Sequence, residues 1–367
     1  MKYIRPDDLE SGMILATPVY DEKGLCLLAA NKALTNDIIL KLQERHCGLY
    51  IFDEFSEYEE FNIIISDETR NKIMECTEHL KIDSVVYYSN MIVDSLLKQE
   101  NILMDTGALK EYDESIYEHS LNVAMLATNT AIGMGLSNEE LQHVAQAALL
   151  HDIGKQMVPL EILNKEGILT PEEYEVMKSH PRFGYDMLYT DNRIHPEVRS
   201  AVLCHHENYN GTGYPNELSG NNIPLIARII RIADTYDAMY HKRSYKNPLP
   251  ASEVLEYLMS NNGTLFDLSI MQVFLQYIVL YPVGTDVTLS NGERARVIKN
   301  RAKSINRPVV MTLKDKKKYD LAKDPDCFSI TILDNQKMDK DKERAREETR
   351  LHLLEIDAEN KEKNHIS

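Results

Sequence analysis

Histidines and aspartates recur along the middle of the chain at intervals of about one helix and its return. His119, the pair His151-Asp152, His180, the pair His205-His206 and Asp234 follow one another in steps of 25 to 32 residues. Side chains spaced in this way on successive helices can all point into one bundle core. Two adjacent imidazoles are costly to bury without a common partner. The series therefore predicts a helical bundle whose core contains a ligand set.

The residue types in this series favour a metal site. Imidazole mixed with carboxylate suits iron, manganese or zinc better than calcium, and a carboxylate such as Asp152 can bridge two ions. Taken singly, His119 could be an ordinary core histidine and His180 a helix-end residue, so only the series as a whole carries the prediction. The other histidines fit no such spacing and are assigned to the surface or the fold: His46, His79, His143, His195, His241, His352 and His365.

Helix-start signals are dense from Tyr112 to about Tyr281. Capping boxes are predicted at Ser137 to Glu140 and at Thr170 to Glu173, and the second has Pro171 at its first helical position. We predict an all-helical bundle of about five to seven helices over this stretch, which makes the protein mainly α.

Smaller modules are predicted on both sides of the bundle. A hairpin, a capped helix after Thr35 and a strand at Leu49–Phe52 suggest a small α+β module, and the turn Asn291-Gly292 marks a β-hairpin after the bundle. The predicted organisation is an N-terminal α+β module (1–66), connecting helices (67–110), a helical domain with the candidate metal site (111–282), a small β appendage (283–334) and a charged tail (335–367).

Composition limits the partners of the chain. The formal net charge of −17 disfavours general binding to nucleic acid polymers or to anionic membranes. The five cysteines are scattered, and neither a signal peptide nor a membrane-spanning run is recognised. We therefore expect a cytoplasmic protein whose contacts with any anionic substrate are local.

Three cations and one glycine-rich loop near the series could provide such contacts. Lys155 follows Asp152 by one turn, and Arg243 and Lys246 follow Asp234. Each could bind a phosphate group, although each alone is more often a solvated surface cation. In the loop Asn210–Pro215, two glycines allow a close backbone approach, and Tyr214 offers a ring and a hydroxyl.

These residues, from about Asp113 to Val283, resemble the HD-GYP domain, a subgroup of the HD phosphohydrolases whose usual substrate is cyclic di-GMP. The matching segments are Tyr117–Ala124, Leu149–Lys155, Val158-Pro159, Ile162-Leu163, Leu169-Thr170, His180, Gly184, His205-His206-Glu207, Gly211, Gly213-Tyr214-Pro215, Ile232-Ala233-Asp234, Asp237-Ala238 and Arg243–Lys246. The hairpin from Val283 to Val297 resembles the small appendage that often follows such domains.

The resemblance implies a helical HD-GYP catalytic domain with two divalent metal ions, for which iron or manganese is expected. Asp152 would bridge the ions, His119, His151 and Asp234 would complete one, and His180, His205 and His206 the other. Lys155, Tyr214, Arg243 and Lys246 would bind substrate, Asp237 would orient a ligand, and Gly154 and Gly213 would serve the backbone conformation.

The implied function is a phosphodiesterase that hydrolyses cyclic di-GMP to linear pGpG through a metal-bridged hydroxide, with further cleavage to GMP left open. Some family members hold a third metal with a glutamate at the position of Ser115, so two metals are expected in this chain. Two alternatives stay open: a non-catalytic cyclic di-GMP receptor, and an HD phosphohydrolase acting on a mononucleotide or another cyclic dinucleotide. A homodimer is neither predicted nor excluded.

Overall fold

The computed structural model describes residues 2–4, 8–15, 19–20, 26–28, 32–44, 49–52, 65, 67–98, 116–165, 167–240, 251–281 and 283–333. The described residues divide into two compact units. One contains residues up to 72 and from 275 onward, and the other contains residues 73–98 and 116–274.

Short strands flank a long run of helices along the chain. In order, the elements are β1 (Lys2–Ile4), β2 (Ile14–Leu15), β3 (Val19–Tyr20), β4 (Cys26–Leu28), α1 (Asn36–Glu44), β5 (Leu49–Phe52), α2 (Asp67–Glu78), α3 (Ile82–Leu97), α4 (Ile116–Met134), α5 (Asn138–Leu150), α6 (Leu160–Leu163), α7 (Pro171–Met177), α8 (His180–Leu188), α9 (Pro196–Cys204), α10 (Leu225–Tyr240), α11 (Ala251–Ser260), α12 (Leu268–Phe274), β6 (Asp286–Leu289), β7 (Arg294–Lys299), β8 (Val309–Thr312), β9 (Lys318–Asp320) and β10 (Ile332–Leu333).

The first unit contains small antiparallel sheets. Strands β1, β5 and β2 form one sheet in that order, and β3 pairs with β4. Helix α1 and strand β5 occur where they are predicted. The hairpin predicted before them would turn at Asp21–Gly24, and these residues lie outside the described part of the chain. Leu15, Leu34 and Ile51 are among the residues that form the small core of this region.

The residues after the helical unit form a five-stranded antiparallel sheet in the order β10-β6-β7-β8-β9. Strands β6 and β7 are joined at the predicted Asn291-Gly292 turn, where Gly292 has a φ of +84°. This left-handed conformation favours glycine because it has no Cβ. The alternating buried residues of β7, Ala295 and Val297, pack with Val310 and Leu321 in a separate core.

The helical unit is built around α5, which contacts α3, α4, α9 and α10. Both predicted capping boxes are present, at Ser137 and Thr170, and they start α5 and α7. Every residue from Val144 to Gly154 is buried. A helix that is buried on all sides belongs in the interior of a domain. The end of α5 therefore delivers His151 and Asp152 to the centre of the bundle.

The protein is mainly α, as predicted, but the number of helices was predicted too low. Between residues 116 and 274, the described part of the chain contains nine α-helices, compared with a prediction of five to seven. The additional ones are short, such as α6 with four residues and α7 with seven. Such segments contain too few turns to display a helical period. No described helix has the length and apolarity that crossing a membrane requires.

Candidate metal centre

Five helices bring the seven predicted ligands together. His119 lies on α4, and Asp234 lies on α10. His151 and Asp152 follow the last residue of α5, His180 is the first residue of α8, and His205 and His206 follow α9. The ligand atoms form two overlapping groups within which all distances are at most 4.8 Å: His119, His151 and Asp152 in one, and Asp152, His180, His205 and His206 in the other.

The Asp152 carboxylate lies between these two groups. Its Oδ1 atom is 3.2 Å from Nε2 of His180 and 3.8 Å from Nε2 of His205. Its Oδ2 atom is 3.4 Å from Nε2 of His151 and 3.9 Å from Nε2 of His119. Each oxygen thus faces a different set of imidazoles. A carboxylate in this position can be shared by two cations.

Three of the histidines are oriented by the ends of helices. Nδ1 of His151, His180 and His205 each lies 2.7 Å from a backbone carbonyl three residues earlier. These carbonyls belong to Ala148, Met177 and Val202, in the last turns of α5, α7 and α9. The final carbonyls of a helix have no partner within the helix. Because a carbonyl only accepts, each Nδ1 donates its hydrogen, and Nε2 of the neutral ring keeps a lone pair.

This arrangement has the features of a site built for cations. Nε2 of His180 and Nε2 of His205 face each other at 3.3 Å. Burial lowers the pKa of His205 well below its usual range, so its ring is neutral. Nε2 of His151 and Oδ1 of Asp152 are buried without a hydrogen-bond partner. Such atoms are costly to bury, and metal ions would satisfy them.

His119 is oriented by a side chain instead of a backbone carbonyl. Its Nδ1 lies 2.7 Å from Oδ2 of Asp237, and its Nε2 lies 3.0 Å from Oδ1 of Asp234. Burial alone would raise the pKa of Asp234, but the hydrogen bond and charge of His119 outweigh it and lower the pKa. Asp237, one turn after Asp234 on α10, thus contacts the ring that it is predicted to orient.

Lys155 provides the cation nearest to Asp152. Its Nζ lies 2.5 Å from Oδ2 of Asp152. Burial would raise the pKa of Asp152, but its surroundings, with the charge of Lys155 foremost among them, outweigh burial and hold the pKa well below its usual range. Both residues line a pocket of about 260 Å³, whose other walls are Tyr117, Gln156, Leu160 and Leu163. A phosphate group entering this pocket would meet the ammonium group directly.

Two glycines of the motifs occupy positions with no room for a side chain. A Cβ on Gly154 would lie 2.0 Å from the backbone oxygen of His180. A Cβ on Gly213 would lie 2.2 Å from the backbone nitrogen of Asn208. Both glycines therefore allow two backbone segments to touch beside predicted ligands. The sequence predicted a conformational role for these glycines, and the close backbone contact is its physical basis.

The loop after His205-His206 is held by groups whose part the sequence did not reveal. Glu207 is buried, and its carboxylate accepts hydrogen bonds from the backbone nitrogens of Asn216 and Leu218 at 2.8 and 3.0 Å. The ring of Tyr214 stacks on His206 with centroids 4.8 Å apart. Glu207 thus fixes the loop that positions Tyr214 against His206.

Arg231 joins this loop to α10, and sequence reasoning missed it. Its Nε and Nη2 atoms donate to Oδ1 of Asn208 at 3.1 and 3.0 Å, while Nδ2 of Asn208 donates to Thr212. Arg231 precedes Asp234 by three residues, so both lie on one side of the helix. This three-residue spacing from Asp234 was the signal in the sequence that Arg231 lies near the predicted ligands. Arg243, Lys246 and Ser115 lie outside the described residues.

The comparison with protein families agrees with this geometry. Residues 99–270 match the family model of the HD domain. This segment, somewhat less than half of the chain, is similar to the HD domain. The resemblance predicted from the motifs is thereby confirmed. A solved structure of a HDG"Y"P protein from Bdellovibrio bacteriovorus is similar in fold, with a TM-score of 0.50 and 19% identity over 74% of this chain and 97% of that chain.

Curated relatives of the HD domain are cyclic dinucleotide phosphodiesterases. A cyclic di-GMP phosphodiesterase from Pseudomonas aeruginosa is 36% identical over 216 residues, covering 59% of this chain and 52% of the relative. A 3'3'-cGAMP-specific phosphodiesterase from Vibrio cholerae is 32% identical over 190 residues, covering 51% of this chain and 36% of the relative. The chain therefore spans about half or less of the length of these relatives.

Proposed function

We propose that this protein is a metal-dependent phosphodiesterase that hydrolyses cyclic di-GMP to linear pGpG. The observation that carries the proposal is the position of Asp152, whose two oxygens face different sets of imidazoles beside Lys155 and a pocket. The names of the relatives agree with this class of substrate. The reaction adds water across one phosphodiester bond and releases the 3′ oxygen as a hydroxyl.

The proposed centre contains two divalent ions, and we expect iron or manganese because the donors are imidazoles and carboxylates. His119, His151 and Asp234 would hold one ion, His180, His205 and His206 the other, and Asp152 both. When bound, such a pair of ions lowers the pKa of water and neutralises charge on the phosphate.

The protein groups around the centre would bind and orient the dinucleotide. Lys155 would donate to an oxygen of the scissile phosphate and offset the charge that develops there. Tyr214, fixed against His206, would contact a nucleoside, and Arg243 with Lys246 would bind the second phosphate. The pocket of about 260 Å³ is smaller than the roughly 300–1,000 Å³ of a typical site for a whole ligand. It would therefore hold one part of the dinucleotide.

The proposal is tested by following products with chromatography. Protein loaded anaerobically with iron or with manganese is incubated with cyclic di-GMP, and separately with 3'3'-cGAMP. We expect pGpG from cyclic di-GMP, with GMP as a later product if the linear dinucleotide is cut again. Preferred cleavage of 3'3'-cGAMP would reassign the substrate. Tight binding of cyclic di-GMP without hydrolysis would instead make the protein a receptor.

A substitution at the shared carboxylate links activity to metal binding. In Asp152→Ala, we expect hydrolysis and metal loading to be lost together, because both groups of imidazoles lose their common ligand. Asp186→Ala is the control, since Asp186 is an exposed residue paired with Arg182. Metal content is measured by mass spectrometry of the purified protein. Normal metal content and normal turnover in Asp152→Ala would refute the proposed role.

A further inference from the structure

A second group of metal-binding side chains lies on two helices of the helical unit, outside the proposed centre. His143 on α5 and His195 and Glu197 at the start of α9 place three ligand atoms within 4.8 Å of one another. Nδ1 of His143 is 3.2 Å from Oε2 of Glu197, and Nδ1 of His195 is 3.9 Å from the same oxygen. The two imidazole rings are stacked with centroids 4.2 Å apart.

The distances in this group suit a small transition-metal ion. Zinc binds imidazole nitrogen and carboxylate oxygen at about 2.0–2.2 Å, which places neighbouring ligand atoms of a tetrahedral site roughly 3.3–3.5 Å apart. The side chain of Glu197 is 60% exposed and that of His195 is 46% exposed, so both can adjust. His143, at 12%, is held more firmly.

Two hydrogen bonds must be exchanged when an ion binds. In one, Nδ1 of His143 donates to Oε2 of Glu197 at 3.2 Å, so its hydrogen has to leave Nδ1 before that atom can bind a metal. The other is at the start of α9. Nδ1 of His195 accepts the backbone N–H of Glu197 at 3.3 Å and caps the N-terminus of α9. This bond shows that Nδ1 has a lone pair directed towards Glu197. Coordination through Nδ1 would replace the cap with a metal bond, and the exposed ring would leave the stack. Water would complete a site with three protein ligands.

The location of the group gives such an ion a structural consequence. Helix α5 contains His143 and ends directly before His151 and Asp152, and helix α9 begins directly after His195 and ends directly before His205 and His206. The helices contact each other. An ion held by His143, His195 and Glu197 would join the middle of α5 to the start of α9, while the C-terminal ends of both helices present predicted ligands of the proposed centre.

We propose that His143, His195 and Glu197 form a separate surface site for a divalent transition-metal ion such as Zn²⁺, Co²⁺ or Ni²⁺, which links α5 to α9. Its donors are two imidazoles and one carboxylate, a set that prefers these ions to Mg²⁺ or Ca²⁺. The site does not depend on the proposed catalysis. Protons compete for the same lone pairs, so binding weakens on acidification.

The experiment measures Zn²⁺ binding by equilibrium dialysis and the melting temperature with and without Zn²⁺. It uses full-length Asp152→Asn protein, in which the proposed centre is weakened, and adds His143→Gln, His195→Gln or Glu197→Gln. We expect each added substitution to remove one bound Zn²⁺ per chain and to abolish the rise in melting temperature. His79→Gln is the matched control, because His79 is an exposed histidine 3.8 Å from Glu78.

The exposed positions keep the test decisive. If His143→Gln fails to fold, the His195→Gln and Glu197→Gln proteins still report on the site, because both side chains are largely in solvent. Unchanged Zn²⁺ stoichiometry in these two variants would overturn the proposal. Loss of Zn²⁺ in His79→Gln as well would also overturn it, because it would indicate unspecific binding to surface histidines.

Discussion

At the scale of single residues, the centre depends on which ring nitrogen of each histidine carries the hydrogen. His151, His180 and His205 donate from Nδ1 to helix carbonyls, and this leaves Nε2 free to bind. His119 differs, because a carboxylate side chain, that of Asp237, accepts from its Nδ1. Among these four histidines, His119 therefore has an orienting partner that a substitution can remove.

The residue-scale prediction concerns Asp237→Asn. A carboxylate only accepts, so Asp237 keeps the ring hydrogen of His119 on Nδ1. The amide that replaces it could instead turn its NH₂ group towards the ring, and the hydrogen would then no longer be held on Nδ1. We expect the affinity for the Mn²⁺ ion that His119 would bind to fall roughly 10- to 100-fold, as is typical when the orienting partner of a metal ligand is lost. Isothermal titration calorimetry measures this change. Asp267→Asn is the control, because Asp267 is also buried but bonds Arg228 and Ser269. Equal affinities in wild type and Asp237→Asn would contradict the orienting role.

At the scale of elements, the sequence predicted where helices start better than it predicted how many helices there are or which residues of different elements are in contact. Ser137 and Thr170 were recognisable because a capping box is local in sequence. The contact between Asn208 and Arg231 joins residues 23 apart, so no local pattern reveals it. The reason that residue 154 is glycine is also non-local, since the atom that excludes a Cβ belongs to His180.

The element-scale prediction concerns that contact between the turn Ile153–Met157 and the start of α8. In Gly154→Ala, the new methyl group would overlap the backbone of His180 and push a ligand away. We expect a loss of roughly 3 kcal/mol or more in the free energy of unfolding, at the upper end for overpacking. Denaturant titration measures the loss, and metal content should fall as well.

Gly184→Ala provides a graded comparison at the same contact. Its nearest obstacle is a side-chain atom, Cγ1 of Val202, at 2.9 Å, which can move more easily than backbone. We expect a smaller loss, about 1 kcal/mol. A Gly154→Ala protein as stable as Gly184→Ala would show that the backbone contact is not restrictive.

At the scale of the whole molecule, the proposed ions would tie together helices that are far apart in sequence. The ligands range from His119 on α4 to Asp234 on α10, and the sequence predicted their convergence because their intervals match helix lengths. The sequence could not predict which imidazoles lie near each carboxylate oxygen of Asp152, because this depends on how five helices pack. The roles of Arg243 and Lys246 stay predictions.

The whole-molecule prediction concerns removal of metal by a chelator. An ion that binds only the folded state adds about 2.7 kcal/mol when its concentration is 100 times its dissociation constant. We expect chelation to speed amide hydrogen exchange up to roughly 100-fold in the segments around the ligands. Exchange in the β6–β7 hairpin of the other unit should not change. Mass spectrometry of peptides locates the effect, and Asp152→Asn should show a clearly smaller one.

The carbonyls of Ala148, Met177 and Val202 have one more implication, for the transfer of this centre to another protein. They orient the three histidines through the main chain, so the identities of those three residues are free to vary as long as the helix ends at the same place. A designer would have to copy where each helix stops, and could leave the neighbouring side chains to the needs of the new core. In this centre, helix length is itself part of the ligand specification.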